Sequence, residues 1–423
     1  MHLLVYNLFL LLYKVALRLV SPWNPKARSW LAGRKQLLAK VKAAMSADPR
    51  PRIWMHCASL GEFEQGRPLL EAVRQAYPGH SIVLTFFSPS GYEVRKNYEQ
   101  ADHIFYLPAD SKANASRFVR MLNPVLVLWI KYDYWYYYLS ALRQAGTPLL
   151  LISASFKKKQ AFFRWYGALH RYMLDSFSRI FVQNEESIQL LKQIGLAEKA
   201  VVSGDTRFDR VSAIASHFTP IPLAAAFCGN KKVIVAGSTW EEDEEELDHY
   251  ANTHPEYRFI IAPHEIEEDR LKDAEKLFKH SIRYSQLARL SEAAIETLSC
   301  NVLIIDNIGM LSRLYYYAHI AYVGGGFGES GIHNILEAAV FGKPVLFGPV
   351  FDWYNEAVDL IEAGAAFSID NALELEQYLD QLMNDPASYQ LAAKAAAAYV
   401  QSKKGATETI MLYIQENRLL TRR

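Results

Sequence analysis

Two successive series of short, buried-type strands alternating with helical patterns constrain this chain more than any other feature of its sequence. From residue 51 the β-rich apolar runs Arg52–Cys57, Ser81–Phe86, Val125–Ile130, Pro148–Ser153 and Arg179–Val182 alternate with helical patterns such as Gly66–Ala76, Ser90–Tyr98 and Ser111–Leu122. Near-continuous apolar strands separated by helices predict a parallel sheet covered on both faces. The alternation then restarts with KKVIVAGST, YRFIIAPH, NVLIID, IAYVGGG and KPVLFGP. Between the series lies RFDRVSAIASHFTPIPLAAAFCGN, with two prolines and no strand period, which reads as an interdomain connection. A chain of 423 residues also exceeds one ordinary core and predicts two domains of about 200 residues each. The expected division is an N-terminal segment over 1–45, a first doubly wound domain over 46–208 and a second over 209–423. Two such domains in tandem imply a ligand cleft facing the carboxyl ends of their strands.

Charge and cysteine usage exclude some functions. Net charge is +1, so no global basicity argues for nucleic acid. Cys57, Cys228 and Cys300 lie far apart without a CxxC pair, which speaks against a zinc site or disulfide framework and fits a reducing compartment. The charge is uneven, however: the first 60 residues carry ten Lys or Arg against the single acid Asp48. They include HLLVYNLFLLLYKVALRLV, whose unbroken apolar run is shorter than the roughly 20 residues a spanning helix needs. Its positive charges follow the apolar run, and no small-x-small cleavage site appears, so it does not read as a signal peptide. We expect an uncleaved anchor lying in or dipping into the membrane; a buried first-domain helix is the alternative.

Two segments carry candidate chemistry. WMHCASLGEFEQG ends a strand in a Gly turn and sets Glu62 at the head of a helix. There a carboxylate is either a partner of the helix dipole or a general base; Gly61 allows the turn, and Ser59 can orient the carboxylate or cap the helix. AYVGGGFGESGIHNILEAAVFGKPVLFGP reads strand, Gly-rich turn, helix, strand, and contains GxGxxG as Gly326, Gly328 and Gly331, with Asp352 downstream. A nicotinamide dehydrogenase is therefore a rival. Against it, the turn follows three earlier strands of its series, and the expected helix opens on the polar His333, Asn334 and Glu337. Such an opening can take phosphate on its N–H groups and ribose on its carboxylate, or simply be capped by Asn334.

The ordered set ASLGE, GSTWEEDEE, APHEIE, DNIGML and GGGFGESGIHNILEAAVFGKPVLFGP resembles the 3-deoxy-D-manno-octulosonic acid (Kdo) transferases of lipopolysaccharide synthesis. YLPAD, LTFFSPSGYE and SRIFVQNEES extend the resemblance over nearly the whole chain. It implies an α/β GT-B fold of two Rossmann-like domains facing a central cleft. It also implies CMP-Kdo held mainly by the second domain, a lipid A precursor reached by the first, and a place on the cytoplasmic face of the inner membrane. No metal or other cofactor is expected, since no DxD occurs in the chain and helix N-termini and basic side chains can stabilise a departing phosphate.

By that resemblance Glu62 is the catalytic base, and Arg207 takes the place of a Lys proposed to stabilise developing charge. In VLWIKYDYWYYYL the family shows Glu-Thr-Glu-Leu-Trp; here Lys131 replaces the first acid, and Asp133 keeps the second. On the donor side it implicates Ser238, Thr239, Pro263, His264, Ile308, Gly309, Met310, Gly325, Gly326 and the run His333, Asn334, Ile335, Leu336 and Glu337. His264 stands where Arg is common and Met310 where Glu is typical. Thr239 with Glu242 forms a capping-box pattern, and the acids around it read as a solvated first turn. Lys157, Lys158, Lys159 and Arg164 alternate with Phe156, Phe162, Phe163, Trp165 and Tyr166. That mixture suits a membrane surface and a phosphorylated glycolipid, or is an ordinary amphipathic helix. The rival readings are another GT-B enzyme using a UDP-sugar, an oxidoreductase on the GxGxxG turn, and a non-catalytic membrane scaffold.

Overall fold

The computed structural model describes His2 to Thr421. The chain forms two compact units, one of Met1–Arg210 with Lys404–Arg423 and one of Val211–Lys403. Each contains a seven-stranded parallel sheet. In the first the strands are β1 (Arg52–Cys57), β2 (Ser81–Phe86), β3 (His103–Tyr106), β4 (Pro124–Ile130), β5 (Leu149–Ala154), β6 (Arg179–Val182) and β7 (Ala200–Val202), in spatial order 3-2-1-4-5-6-7. In the second they are β8 (Val233–Thr239), β9 (Arg258–Pro263), β10 (Ser281–Arg283), β11 (Val302–Ile304), β12 (Ile320–Val323), β13 (Val345–Phe347) and β14 (Ala366–Ser368), ordered 10-11-9-8-12-13-14. The ten strands expected from apolar runs are all present. The four that were not expected, β3, β7, β10 and β14, are three or four residues long, too short to show a period.

The first sheet is apolar on both faces because helices cover both. On β1, Ile53, Met55 and Cys57 enter one core with Phe63 and Leu70, and Trp54 enters the other with Trp129 and Tyr138. The helix Leu60–Ala76 starts six residues before the expected Gly66, which places Glu62 in its first turn. Gly66 lets this helix lie close on the sheet, since a Cβ there would come within 2.9 Å of Ile130. The domain limits differ from expectation at the C-terminus. The helix Ala406–Glu416 belongs to the first unit, not the second, because Ile410 and Ile414 complete the core beneath β1. The Asp209 carboxylate fixes its start, accepting from Gly405 N (2.7 Å) and Thr407 N (2.6 Å). The segment read as a plain connection is itself helical over Thr206–Ser216 and Pro222–Cys228.

The N-terminal segment is built into the first unit. Helix α1 (His2–Val20) is long and apolar enough to cross a membrane, and its Leu4, Leu8, Leu11 and Leu12 are exposed. Its other side is docked: Leu10 is buried, Tyr13 packs against Trp30 and Phe87, and the Tyr6 hydroxyl donates to Asp110 Oδ2 at 2.6 Å. Asp110 also accepts from Tyr137 N (3.2 Å), and burial pushes its carboxyl up to about 6. Arg34, one of the ten N-terminal Lys and Arg residues, is a largely buried cation. It donates to the carbonyls of Leu107, Phe87 and Trp30 and stacks 3.7 Å from the Trp30 ring. Burial lowers its guanidinium to about 9.

Removing one donor to a buried carboxylate costs about 1.5–3 kcal/mol. Tyr6→Phe is therefore expected to raise amide exchange along α1 by roughly tenfold or more while leaving Val211–Lys403 unchanged. Equal protection of α1 in parent and variant would show that the Tyr6–Asp110 bond does not hold the helix.

Candidate active site

In a parallel sheet the loops leaving two adjacent strands diverge only where the strand order reverses, and there they leave room for a ligand. The first sheet reverses between β1 and β4, and the second between β8 and β12. Glu62 and Asp133 lie at the first, and Ser238, Thr239 and the Gly-rich loop at the second. Pro263 ends β9 and His264 follows it, Ile308, Gly309 and Met310 follow β11, and Arg207 follows β7.

Glu62 follows β1 as the third residue of the helix Leu60–Ala76, which Ser59 caps. Ser59 Oγ accepts from Glu62 N at 3.4 Å, and the Glu62 carboxylate reaches back past the cap to accept from Ala58 N at 2.5 Å. This is a capping box displaced by one residue. A first-turn glutamate would ordinarily be acidified by the helix dipole. Here burial, and then repulsion from the Asp133 carboxylate, push Glu62 up from 4.5 to about 7. The Ala58 and Tyr132 amides and Lys131 oppose that rise.

Asp133 leaves β4 through a turn in which Lys131 has a φ of 50°. It is pinned on several sides: Trp135 Nε1 donates to Oδ2 (3.1 Å), Trp129 Nε1 donates to its carbonyl (2.5 Å), and His56 Nε2 lies 3.7 Å from Oδ2. His56 was not expected as a site residue; only its position within the apolar β1 marked it. Its ring is wholly buried, stacks on Trp129, and sits 2.9 Å from Thr85 Oγ1, which also accepts from Trp54 Nε1. Nε2, on the other side of the ring, faces Asp133. Burial lowers the His56 pKa, keeping the ring neutral. Arg207, at the β7 end of the sheet, is held by Asp205 through its backbone N (2.9 Å) and Nε (2.8 Å).

In the second unit the loops after β8, β9 and β11 enclose a cavity of about 140 Å³ lined by Ser238, Pro263, His264, Ile308 and Gly309 among others. Five of the expected donor-side residues thus share one wall; Met310 instead heads the one-turn helix Leu311–Leu314. Trp240, which sequence reasoning missed, stacks on His264 at 4.6 Å, and His264 stacks on His333 at 4.5 Å. Trp240 Nε1 donates to His333 Nε2 at 3.3 Å, and burial lowers His333 to about 4.

Three expectations need correction. The acids after Thr239 are not all solvated. Asp243 is buried and accepts from Tyr322 Oη, Gly325 N and Trp240 N, and buried Glu244 accepts from Thr239 Oγ1 at 2.7 Å. The cap partner is therefore Asp243 rather than Glu242. Second, His333 and Asn334 precede a helix of a single turn, Leu336–Ala339, so the helix N-terminus expected to face phosphate is not there. Asn334 Nδ2 donates to Glu337 at 3.2 Å and fixes that carboxylate. Gly326 and Gly331 serve close packing: a Cβ on Gly326 would lie 2.5 Å from Gly348 N, and one on Gly331 2.8 Å from Val350 O. Third, the 156–166 stretch is no amphipathic helix. Phe156 and Phe162 enter the core, while Trp165 is 89% exposed beside the exposed Lys157, Lys158, Lys159 and Arg164.

Solved structures share this fold at low identity. The UDP-GlcNAc 2-epimerase of Neisseria meningitidis, bound to UDP-GlcNAc, superposes with a TM-score of 0.61 at 19% identity, covering 86% of this chain and 100% of its own. MurG of Acinetobacter baumannii gives 0.52 at 16% identity, covering 87% and 100%. Residues 32–210 match the family model of 3-deoxy-D-manno-octulosonic-acid transferase (kdotransferase). The 3-deoxy-D-manno-octulosonic acid transferase of Bordetella pertussis is 28% identical over 93% of this chain and 96% of its own. That of Aquifex aeolicus is 27% identical over 78% and 86%. The fold is of the GT-B type, with two Rossmann-like domains. In sequence the chain is similar to the 3-deoxy-D-manno-octulosonic acid transferases over most of its length.

Ionising Glu62 opposes folding, because its pKa is higher in the fold than in the unfolded chain. That contribution to stability is full below about pH 4.5 and is lost as pH rises through 7. Glu62→Gln is expected to melt at least about 2 °C above the parent at pH 8, with the gap closing toward pH 5. A gap independent of pH would mean that Glu62 is not the titrating group.

Proposed function

We propose that this chain moves Kdo from CMP-Kdo to a hydroxyl of a lipid A precursor with inversion, Glu62 being the general base. The observation that carries the reading is a half-buried carboxylate at a strand-order reversal, raised to about 7. A base must be ionised and still accept a proton readily, and both conditions are best met when its pKa lies near the working pH. Asp133, oriented by Trp135 and His56, keeps Glu62 basic and offers a second acceptor for the incoming sugar hydroxyls. Once deprotonated, the acceptor oxygen attacks the anomeric carbon from the face opposite the leaving CMP. Arg207, fixed by Asp205, supplies a positive charge on the same sheet edge.

The cavity lined by His264, Ile308 and Gly309 has the size of one planar ring and is the proposed seat of the cytosine. Glu337, held by Asn334, is the proposed acceptor for ribose hydroxyls. The reaction as proposed uses no metal or cofactor. Helix α1 and the Lys157–Tyr166 segment are proposed to rest on the cytoplasmic face of the inner membrane, basic side chains against phosphate headgroups and exposed Trp165 at the interface. The docking of α1 by Tyr6 and Asp110 favours a helix lying in that plane over one crossing it.

The test is transfer by detergent-purified protein, with CMP-Kdo formed in situ and a tetraacylated lipid A precursor as acceptor, products read by mass spectrometry. The parent is expected to add Kdo, to be indifferent to chelator, and to lose rate about tenfold per pH unit below 7. Glu62→Gln should retain CMP binding and lose roughly 10²–10⁴ in kcat. Full activity in Glu62→Gln would remove the base assignment. Binding of UDP in preference to CMP would move the donor to a UDP-sugar.

A further inference from the structure

A cleft of about 270 Å³ opens between α1, the helices Pro25–Gly33 and Leu37–Ala47, and the loop after β3. Its walls carry three cations, Lys14 and Arg18 of α1 together with Arg34, among the apolar Leu31, Leu37 and Leu38. No Asp or Glu lines it. Lys14 and Arg18 stand four positions apart and so share one face of α1, where like charges repel. None of the three cations forms an ion pair among the described residues. Asp110 is near enough to act on Lys14, but its carboxylate is already engaged by the Tyr6 hydroxyl and Tyr137 N. Arg34 donates to three carbonyls, which satisfy its N–H groups and leave its charge uncompensated. Trp30, on the same wall, has a buried indole N–H that makes no hydrogen bond. Buried charges are ordinarily paired and buried donors ordinarily bonded. A cleft that departs from both rules, with one sign of charge throughout, lacks an anion.

We propose that this cleft binds the phosphate of an acidic phospholipid headgroup, held by Lys14 and Arg18 in the field of Arg34. The source of the anion follows from α1 itself. Leu11, Leu12, Leu19 and Val20 are exposed on either side of the two cations along this helix, so the cleft adjoins the surface that α1 offers to lipid. A zwitterionic headgroup would bring a cation of its own into a site with no acid to receive it, which selects against it. The assignment rests on the membrane reading of α1 given above and deepens it from a basic surface to one site. The Tyr6–Asp110 bond holds the first half of α1 to the protein. The headgroup holds the second half to the bilayer and sets the depth of the helix, with the phosphate layer level with Lys14 and Arg18.

The test titrates the full chain in neutral detergent with dihexanoylphosphatidylglycerol and counts retained lipid by native mass spectrometry. The parent is expected to hold one such lipid, and to hold dihexanoylphosphatidylcholine at least about tenfold more weakly. Lys14→Ala combined with Arg18→Ala should weaken the acidic lipid at least about tenfold, since each cation near an anionic surface contributes roughly fivefold. Lys40→Ala combined with Lys42→Ala removes the same charge from exposed positions outside the cleft and should change the affinity less than about twofold. Equal loss in the two double variants would reduce the effect to overall charge and overturn the site. Equal binding of the two phospholipids overturns it as well. Two competitions on the parent need no variant to fold. Displacement of the lipid by an equal concentration of inorganic phosphate would make the cleft a free-anion site, and displacement by less of a phosphorylated acceptor would assign it to that molecule; either result overturns the phospholipid. Flotation of the parent with vesicles containing acidic phospholipid tests the membrane reading separately. One retained acidic lipid without flotation means that the membrane reading falls while headgroup binding in the cleft stands.

Discussion

The reversal of strand order between β1 and β4 is the constraint on which the first unit's chemistry depends. Each parallel strand must be followed by a crossover, and on either side of the reversal the crossovers lead away from each other. The loop after β1 carries Glu62 and the loop after β4 carries Asp133, so two acids 71 positions apart in sequence become electrostatic neighbours. Their pairing also settles which of two opposing effects controls Glu62. A helix dipole contributes about 0.3–1 kcal/mol toward ionisation. Burial together with a nearby like charge outweighs it, and the carboxyl rises to about 7. The same geometry recurs between β8 and β12, where the Ser238–Trp240 turn and the Gly324–Glu337 loop converge. There the linking group is buried Asp243, which ties Trp240 N to Gly325 N and so holds two loops with one carboxylate.

Docking of α1 depends on a polar contact of the same kind. A wholly apolar helix would find no distinction between lipid and protein, because both offer it the same burial. Tyr6, donating to Asp110, and Tyr137, donating to Asn7 Oδ1 at 2.7 Å, give one side of α1 partners that lipid cannot supply. The opposite side keeps its leucines exposed. Arg34 secures the following helix by a related device: a buried guanidinium satisfied by three carbonyls and covered by aromatic rings. The basic N-terminal stretch therefore divides into a charge used internally and charges left for the surface.

What could be read from the sequence was what repeats over enough residues to show a pattern. Runs such as VLVLWI and VIVAG are buried on both faces, and their apolar continuity is visible without a structure. Strands of three residues such as β10 and β14 carry no such signal; they are strands because β11 and β13 offer edges to pair with. Glu62 stood out by its place after a strand and a Gly turn. His56 did not, since a lone histidine in an apolar strand gives no hint that Thr85 will fix one nitrogen and Asp133 face the other. The EEDEEE run misled because charge density suggests solvent. Asp243 and Glu244 are buried only because Tyr322, Gly325 and Thr239 arrive from distant positions to satisfy them. In the Gly-rich turn, the pattern for close backbone approach was legible, but the partner was Gly348 of the same unit rather than a pyrophosphate.

Lys131 bears on the Glu62 carboxyl from the same turn as Asp133. Where the resemblance leads one to expect an acid, this chain places a buried cation two residues before Asp133. With a third carboxylate on that turn, repulsion would raise the pKa of Glu62 further and leave it largely protonated at neutral pH. Lys131 lowers the Glu62 pKa while Asp133 raises it, and both act after the larger effect of burial. The position near 7 is set first by burial and then by Asp133, with the Ala58 and Tyr132 amides and Lys131 opposing them. The aromatic residues around that turn make the balance effective: Trp129 and Trp135 fix Asp133 by hydrogen bonds. Tyr134 packs against Phe162 and Phe177, so neither charge is free to swing into water. A turn that held the same charges loosely would let solvent screen them, and Glu62 would fall back toward an ordinary carboxylate.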